Sequence, residues 1–201
     1  MELVKYNNNS ISSVTALGSL SSGDLNLLAT NTITSGVSSS SFTSNIDSTY
    51  DTYLFKYINI HAGTNDAKFQ FNLSSDSGSS YNVTKTTTAF RGYHDEADST
   101  TSLAYKTGDD LAEGTGCQNL CDTIGNDNDA SGNGLLHLFD PSNTTFVKQF
   151  MSTVNGMYNS NYITNCFTGG KFNTTSAINA VQFKFASGNI DSGVIKLYGV
   201  S

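Results

Sequence analysis

Apolar and polar residues alternate with a period of two along several stretches, whereas no stretch of ten residues keeps a helical apolar period. In residues 67–73, Ala67, Phe69, Phe71 and Leu73 are separated by polar residues, which is typical of a strand with one buried face. Residues 181–186 repeat this alternation. The pattern predicts strands at 67–73, 181–186, 134–139, 144–151 and 193–200.

Residues 53–60 differ because both faces of the predicted strand are apolar. Three aromatic residues lie on one face and three aliphatic residues on the other: Tyr53, Phe55 and Tyr57 against Leu54, Ile58 and Ile60. A strand that is apolar on both faces is typical of the middle of a sheet covered on both sides. We therefore predict a central, doubly covered strand here.

Clusters of Ser, Gly, Asn and Asp separate these strands and predict turns. Residues 74–80 form one cluster, and residues 140–143 contain the only proline, Pro141. Residues 187–193 are predicted to be a hairpin loop that joins the last two strands. Short strands at this spacing, without an internal repeat, predict an all-β fold: a single, jelly-roll-like β-sandwich.

Two regions depart from the strand pattern. Residues 1–40 contain no aromatic residue except Tyr6, and we interpret them as a less regular arm or edge segment before a sandwich domain at 41–201. Residues 95–140 hold ten of the seventeen acidic residues, surrounded by Gly and Asn. This second region is predicted to consist of long surface loops, where functional residues are often found.

Composition narrows the classes of partner. Charged residues make up 13% of the chain, the net charge is −7, and the ten Lys and Arg residues form no basic cluster. Binding to nucleic acid or to an anionic membrane surface is therefore disfavoured. The apolar runs are too short to span a bilayer, and no secretory signal is recognisable, so we expect synthesis in a reducing cytoplasm.

Three cysteines leave several interpretations open. Cys117 and Cys121 lie close enough in sequence for a disulfide that closes a small loop, with Cys166 left over. A zinc site would need two further ligands nearby. Free, partly buried thiols are the main expectation.

Acidic residues and histidines could act as metal ligands, but their spacing in the sequence matches no known metal-binding motif. His94, Asp95, Glu96 and Asp98 are close in sequence, but a solvated acidic loop explains them. Asp127, Asp129, Ser131 and Gly132 match positions one, three, five and six of an EF-hand loop, whereas Leu138 occupies the position of its glutamate. An EF-hand is rejected, and an irregular calcium loop stays the alternative to a plain turn. His61 and His137 are interpreted as structural, with His137 in or near the core.

Sugar recognition and hydrolysis are the other candidate chemistries. Four tyrosines in loop-like sequence are able to stack on sugar rings: Tyr93, Tyr105, Tyr158 and Tyr162. A glycosidase needs two carboxylates at a defined separation, for which five acids are available: Glu96, Asp98, Asp109, Asp110 and Glu113. No catalytic motif accompanies them, so we predict no catalytic, cofactor-binding or metal-binding residue and no enzymatic activity.

Three segments carry a resemblance to a known family. Residues 174–200 read TTSAINAVQFKFASGNIDSGVIKLYGV, residues 48–55 read STYDTYLF, and residues 76–81 read DSGSSY. In this order they resemble β-sandwich virion proteins of tailed bacteriophages, of the type found in phages of marine cyanobacteria. The likeness covers roughly residues 42–93 and 134–201.

The resemblance implies a virion subunit that occurs in several copies, either decorating the capsid or forming part of the tail or a fibre. It also implies other virion proteins as partners and a homo-oligomer, with a homotrimer expected. It carries no catalytic residue over to this chain. The alternative function is a carbohydrate- or receptor-binding module that mediates attachment to a host surface glycan.

Overall fold

A computed structural model describes residues 25–158 and 161–201, and every named element in them is a β-strand. Within those residues, no helix is long and apolar enough to cross a membrane. The strands are β1 (Leu25–Ile33), β2 (Ser40–Phe42), β3 (Thr52–Ala62), β4 (Ala67–Ser74), β5 (Lys85–Asp95), β6 (Thr101–Tyr105), β7 (Gln118–Ile124), β8 (Gly132–Phe139), β9 (Lys148–Tyr158), β10 (Tyr162–Phe172), β11 (Ala180–Phe185) and β12 (Ile190–Val200).

The strands form two antiparallel sheets packed face to face, which confirms the predicted sandwich. The smaller sheet has the order β2-β11-β4-β7, and the larger sheet begins β1-β12-β3-β8. Together these eight strands have the interleaved order of a jelly roll, in which early and late strands of the chain pair with each other.

Four further strands extend the larger sheet beyond β8, in the order β9-β10-β5-β6. In sequence they are two hairpins inserted between strands of the jelly roll: β5-β6 lies between β4 and β7, and β9-β10 lies between β8 and β11. Strand β7, at the edge of the smaller sheet, lies over β9 and β10. The inner face of β5 therefore lies beside the edge of the smaller sheet, and this position creates the cleft described below.

Phe183 on β11 lies at the centre of the core between the sheets. Its side chain is fully buried, and its ring centroid lies 5.3 Å from those of Phe55 and Tyr57 on the opposite sheet. Three more rings surround it at 6.1 to 6.4 Å: Phe42, Phe69 and Phe71. Edge-on and offset ring pairs of this kind add to the free energy that burial provides.

Two lysines are buried within the same interior, and each binds backbone carbonyl groups. The Nζ of Lys85 donates to Asn72 Oδ1 at 2.8 Å and to the Gly116 carbonyl at 2.7 Å. The Nζ of Lys148 donates to the Ser176 carbonyl at 2.7 Å. Burial disfavours the charged ammonium and lowers the pKa of Lys85 to about 8. These lysines hold two connecting segments against the sheets.

A β-bulge corrects the prediction for residues 53–60. Asn59 has a positive φ of 50°, and the pairing register of β3 shifts around it. The bulge turns Ile60 to the same buried core as Tyr53, whereas Ile58 is only half-buried and Lys56 is exposed. Leu54 on the outer side is also buried, but within the described residues no second layer covers that side, so the predicted doubly covered strand is not found there.

Residues 187–193 do not form a hairpin loop. Strand β11 pairs with β2 and β4 in the smaller sheet, whereas β12 pairs with β1 and β3 in the larger one. The segment therefore crosses from one sheet to the other. The alternation of both strands was visible in sequence, but nothing in it indicated that they belong to different sheets.

Other boundaries also move. The region predicted as loops between residues 95 and 140 contains β6 and β7, and the strand predicted at 144–151 begins only at Lys148. Of the predicted arm, residues 25–33 are β1, an edge strand paired with β12, and residues 1–24 lie outside the described residues. A deletion that tests the arm hypothesis must therefore end before Leu25.

Candidate functional site

Three of the four tyrosines singled out in sequence meet on the strands of the extension. Tyr93 lies on β5, Tyr158 ends β9 and Tyr162 begins β10. The ring centroids of Tyr93 and Tyr162 are 5.6 Å apart, and those of Tyr158 and Tyr162 are 5.8 Å apart. These tyrosines are strand residues, not loop residues, and the pairing of β5, β9 and β10 brings them together.

The rings line an open cleft of about 410 Å³, which we call the tyrosine cleft. Its lining consists of Arg91, Tyr93, Thr123, Tyr158, Tyr162 and Thr164. The volume falls within the range of small-molecule sites in proteins, roughly 300–1,000 Å³. Three phenol rings combined with hydroxyl and guanidinium groups suit a ligand that has both apolar faces and many hydroxyls, such as a sugar.

Arg91 is the only arginine of the chain. It lines both the tyrosine cleft and a second, adjacent cleft. Its guanidinium lies 4.7 Å from the centroid of the Tyr93 ring, as a cation–π pair. It also donates to the carboxylate of Asp122, which Lys106 Nζ approaches at 3.6 Å. Arg91 is therefore fixed by two partners and presents a rigid donor group to a ligand.

A second cleft of about 420 Å³ continues from Arg91 along the edge of the smaller sheet. Lys68 and Lys106 line it with Asp109 and Asp122. Asp109 is buried and accepts from Lys68 Nζ at 2.6 Å. One end of the combined groove is thus aromatic, and the other end carries paired charges.

Tyr105, the fourth tyrosine, is separate from the tyrosine cleft. It lines the charged cleft and donates to Asp110 at 2.6 Å, and this bond raises the pKa of its phenol. Replacing Tyr105 therefore provides a control for replacing any of the three tyrosines that line the tyrosine cleft.

The five candidate carboxylates have separate partners. Asp109 is held by Lys68, Asp110 by Tyr105, Asp98 by His94 and Glu113 by Asn173, and Glu96 is exposed. None of the five belongs to the lining of the tyrosine cleft. The predicted absence of enzymatic activity stays a prediction.

The histidines occupy three different strands. His61 Nδ1 lies 2.7 Å from the Ala130 carbonyl, and His94 Nε2 lies 3.0 Å from Asp98. His137 stacks on Phe139 and lies on the outer side of β8, because Leu136 and Leu138 point into the core. The placement of His137 in or near the core was therefore wrong.

The candidate calcium loop is an exposed turn. The Asp127 carbonyl accepts from the Ala130 amide at 2.8 Å, and Asp127 and Asp129 are both exposed. In the described part of the chain, the side chains whose ligand atoms lie within 4.8 Å of one another belong instead to Cys121, Asp122 and Cys166. Calcium binding by this loop stays untested.

The three thiols are free, and their arrangement differs from the one that their spacing suggested. Cys121 on β7 lies next to Cys166 on β10, with their Sγ atoms 3.5 Å apart, and Cys117 is only half-buried. Contact between the two sheets brings together cysteines that are 45 residues apart. Free thiols were the main expectation from the sequence, whereas the contact between Cys121 and Cys166 was not predicted.

The outer face of the extension carries an exposed apolar row. Leu135, Thr153, Phe167 and Phe90 lie at one register level across β8, β9, β10 and β5. The rings of Phe90 and Phe167 stack at 4.9 Å, and Met151 beside them is 62% exposed. A groove of about 350 Å³ runs between these side chains. We call this surface the outer face.

The strands of this face carry no exposed carboxylate, although the chain is acidic, and the exposed Asp98 contacts only the end of the face, through His94. Across β5, β6, β8, β9 and β10 the sequence contains one acidic residue, Asp95, which is buried. Contiguous exposed apolar patches on soluble proteins are often interaction sites, so this face is a candidate site.

Sequence reasoning found the tyrosines but missed Arg91, Thr123 and Thr164. Arg91 had one signal, since it is the only arginine and lies in a strand rich in Thr. The two threonines had none, because the chain contains many similar residues and only the packing of β7 beside β10 selects these.

No protein-family model matches the chain, and comparisons with curated proteins and with solved structures find no match either.

Proposed function

We propose that the chain is a non-enzymatic structural subunit of a tailed-bacteriophage virion that acts by self-association and surface display. The observation that carries the proposal is the outer face, whose apolar row lies on strands without an exposed carboxylate. The sequence resemblance described above supports the same function. The jelly roll also supports it by analogy, since viral capsid proteins often have this fold.

Charge explains why the outer face suits contact between copies. Each copy carries a net charge of −7, so most surfaces of two copies repel each other. Around a threefold axis, three outer faces meet along strands that carry no exposed carboxylate, and Phe90, Phe167 and Met151 lose water on contact. We propose a homotrimer built through this face, in a particle that contains other virion proteins.

Replacing Phe167 by glutamate is expected to dissociate the oligomer. The substitution places a carboxylate in the middle of the apolar row, where neighbouring copies would have to bury it. Light scattering after size-exclusion chromatography should show a trimer for the unmodified chain and a monomer for the variant. Phe146→Glu is the matched control, because Phe146 is 69% exposed and lies outside the row. A monomeric unmodified chain would refute self-association.

Immunogold labelling of purified phage particles tests the location. Label over the head indicates a decoration protein, and label at the tail or at fibre tips indicates a tail component. Particles that lack the chain altogether would refute the virion proposal.

The tyrosine cleft favours a second candidate function, which is binding of a host surface glycan. Three rings converge there with Arg91 and two threonines, and lectin domains also adopt jelly rolls. In this function the extension, rather than the eight strands of the jelly roll, recognises the host.

Replacing Tyr162 by alanine is expected to weaken glycan binding at least about tenfold, equivalent to about 1.4 kcal/mol. Tyr162 contacts both other rings of the cleft, so its loss removes the central stacking surface. A glycan array followed by titration calorimetry with the best ligand measures the effect. Tyr105→Ala is the control and should bind normally, since Tyr105 lies outside the tyrosine cleft. Equal losses in both variants would contradict this site, and an array without any bound glycan would remove the function.

A further inference from the structure

Cys121 and Cys166 belong to facing sheets and touch in the interior. Their Sγ atoms are 3.5 Å apart, and both residues are at most 4% exposed. Gly156 on β9 makes the contact feasible, because a Cβ atom there would lie 2.6 Å from the Cys121 sulfur. The sulfurs need to approach by roughly 1.5 Å to reach the length of a disulfide bond.

A small cavity adjoins the pair. A small cavity of about 10 Å³ is lined by both cysteines together with Arg91 and Asp122, and Arg91 also lines the tyrosine cleft. This is about the space that one water molecule occupies. A small oxidant such as a hydroperoxide is therefore favoured over a bulky one.

We propose that Cys121 and Cys166 form an oxidation site, at which hydrogen peroxide produces a disulfide that links the smaller sheet to the larger one. The proposal concerns the fold itself and is independent of the functions proposed above.

The hydrogen bond between the thiols assigns their roles. The Cys166 thiol donates to the Cys121 sulfur and thereby lowers the pKa of Cys121, whereas this donation and then burial raise the pKa of Cys166. Cys121 is thus the first to ionise and is the nucleophile, because the thiolate is the reactive form.

The reaction proceeds in two balanced steps. The Cys121 thiolate attacks one peroxide oxygen, so that an S–O bond forms, the O–O bond breaks and hydroxide leaves to become water with a proton from the solvent. The Cys166 sulfur loses its proton and attacks the Cys121 sulfur, so that the S–S bond forms and the S–O bond breaks. The leaving hydroxide takes up the Cys166 proton and becomes the second water. In total, two thiols lose two electrons and two protons, and peroxide is reduced to two waters.

A metal site is the competing interpretation of the same atoms, because Asp122 Oδ1 lies 3.7 Å from the Cys166 sulfur. Two cations weaken that interpretation. Arg91 already binds the Asp122 carboxylate, and Lys106 lies 3.6 Å from it. A divalent cation would add a third positive group around a single carboxylate.

Mass spectrometry of the full chain after treatment with hydrogen peroxide tests the proposal. We expect the mass of the chain to fall by about 2 Da. After proteolysis, a cross-linked pair of peptides should contain Cys121 and Cys166, and a reductant should separate the pair. The melting temperature should rise by about 10 °C and fall back with a reductant, since the bridge closes a loop of 45 residues.

Variants separate the proposal from unspecific oxidation. Cys121→Ala and Cys166→Ala should lose the cross-link, and Cys117→Ala, the matched control, should keep it. Melting curves before oxidation verify that each variant is folded. Gain of oxygen without a cross-link, a bridge that contains Cys117, or stoichiometric zinc found by elemental analysis would each overturn the proposal.

Discussion

Replacing Phe183 by alanine is expected to destabilise the protein by about 3 to 5 kcal/mol, the range for loss of a buried phenylalanine. The ring lies against five other aromatic rings from both sheets, so its removal leaves a cavity in the middle of the sandwich. The surrounding rings are large and belong to hydrogen-bonded strands, which limits their collapse into the cavity.

Thermal unfolding followed by circular dichroism measures this effect. For a chain of this size, we expect the melting temperature to fall by roughly 6 to 20 °C. Phe146→Ala is the control, because Phe146 is 69% exposed, and it should change the stability by no more than about 0.5 kcal/mol. Similar losses in the two variants would contradict the central position of Phe183.

Between pH 7 and pH 10, the unmodified protein is expected to gain about 2 to 3 kcal/mol of stability relative to a Lys85→Met variant. Lys85 is fully buried and has a pKa of about 8, because burial disfavours its charged form. The pKa of an unfolded lysine is near 10.5. Between these two values the unfolded chain binds the extra proton, so a rise in pH favours the folded state.

Below pH 8 both states are protonated, and the cost of burying the charge is constant. Methionine resembles lysine in length but does not titrate, so other groups contribute equally to both proteins and cancel in the difference. Urea unfolding at several pH values measures the difference. Lys56→Met, at an exposed position of β3, is the control for removing a lysine without changing the interior. A constant difference for Lys85→Met would show that Lys85 titrates normally.

The alternating segments correctly predicted the core strands, because the face to which a side chain points depends only on its position along its own strand. Phe69, Phe71 and Phe183 all point inward as their period of two requires. The same rule failed at Ile60, where the bulge at Asn59 inserts a residue and changes the face. Strands β5, β7 and β10 were missed because Thr, Gly and Asn interrupt their apolar pattern.

The candidate site was only partly predictable from the sequence. Tyrosines are rare enough, and stack well enough on sugars, to be selected by residue type. Their grouping depends on the insertion of β5 beside β10, since Tyr93 and Tyr162 are 69 residues apart in the numbering and become neighbours only through that pairing. The contact between Cys121 and Cys166 is of the same kind, because it requires both sheets.

The position of β12 between β1 and β3 has a consequence for the order of folding. Leu25 pairs with Val200, and among the described strands β1 has only β12 beside it in the sheet. The first described strand therefore stays unpaired until the last one has docked against β3. Closing a loop of this length is slow, so β1 should be among the last amides to become protected in a pulsed hydrogen-exchange experiment.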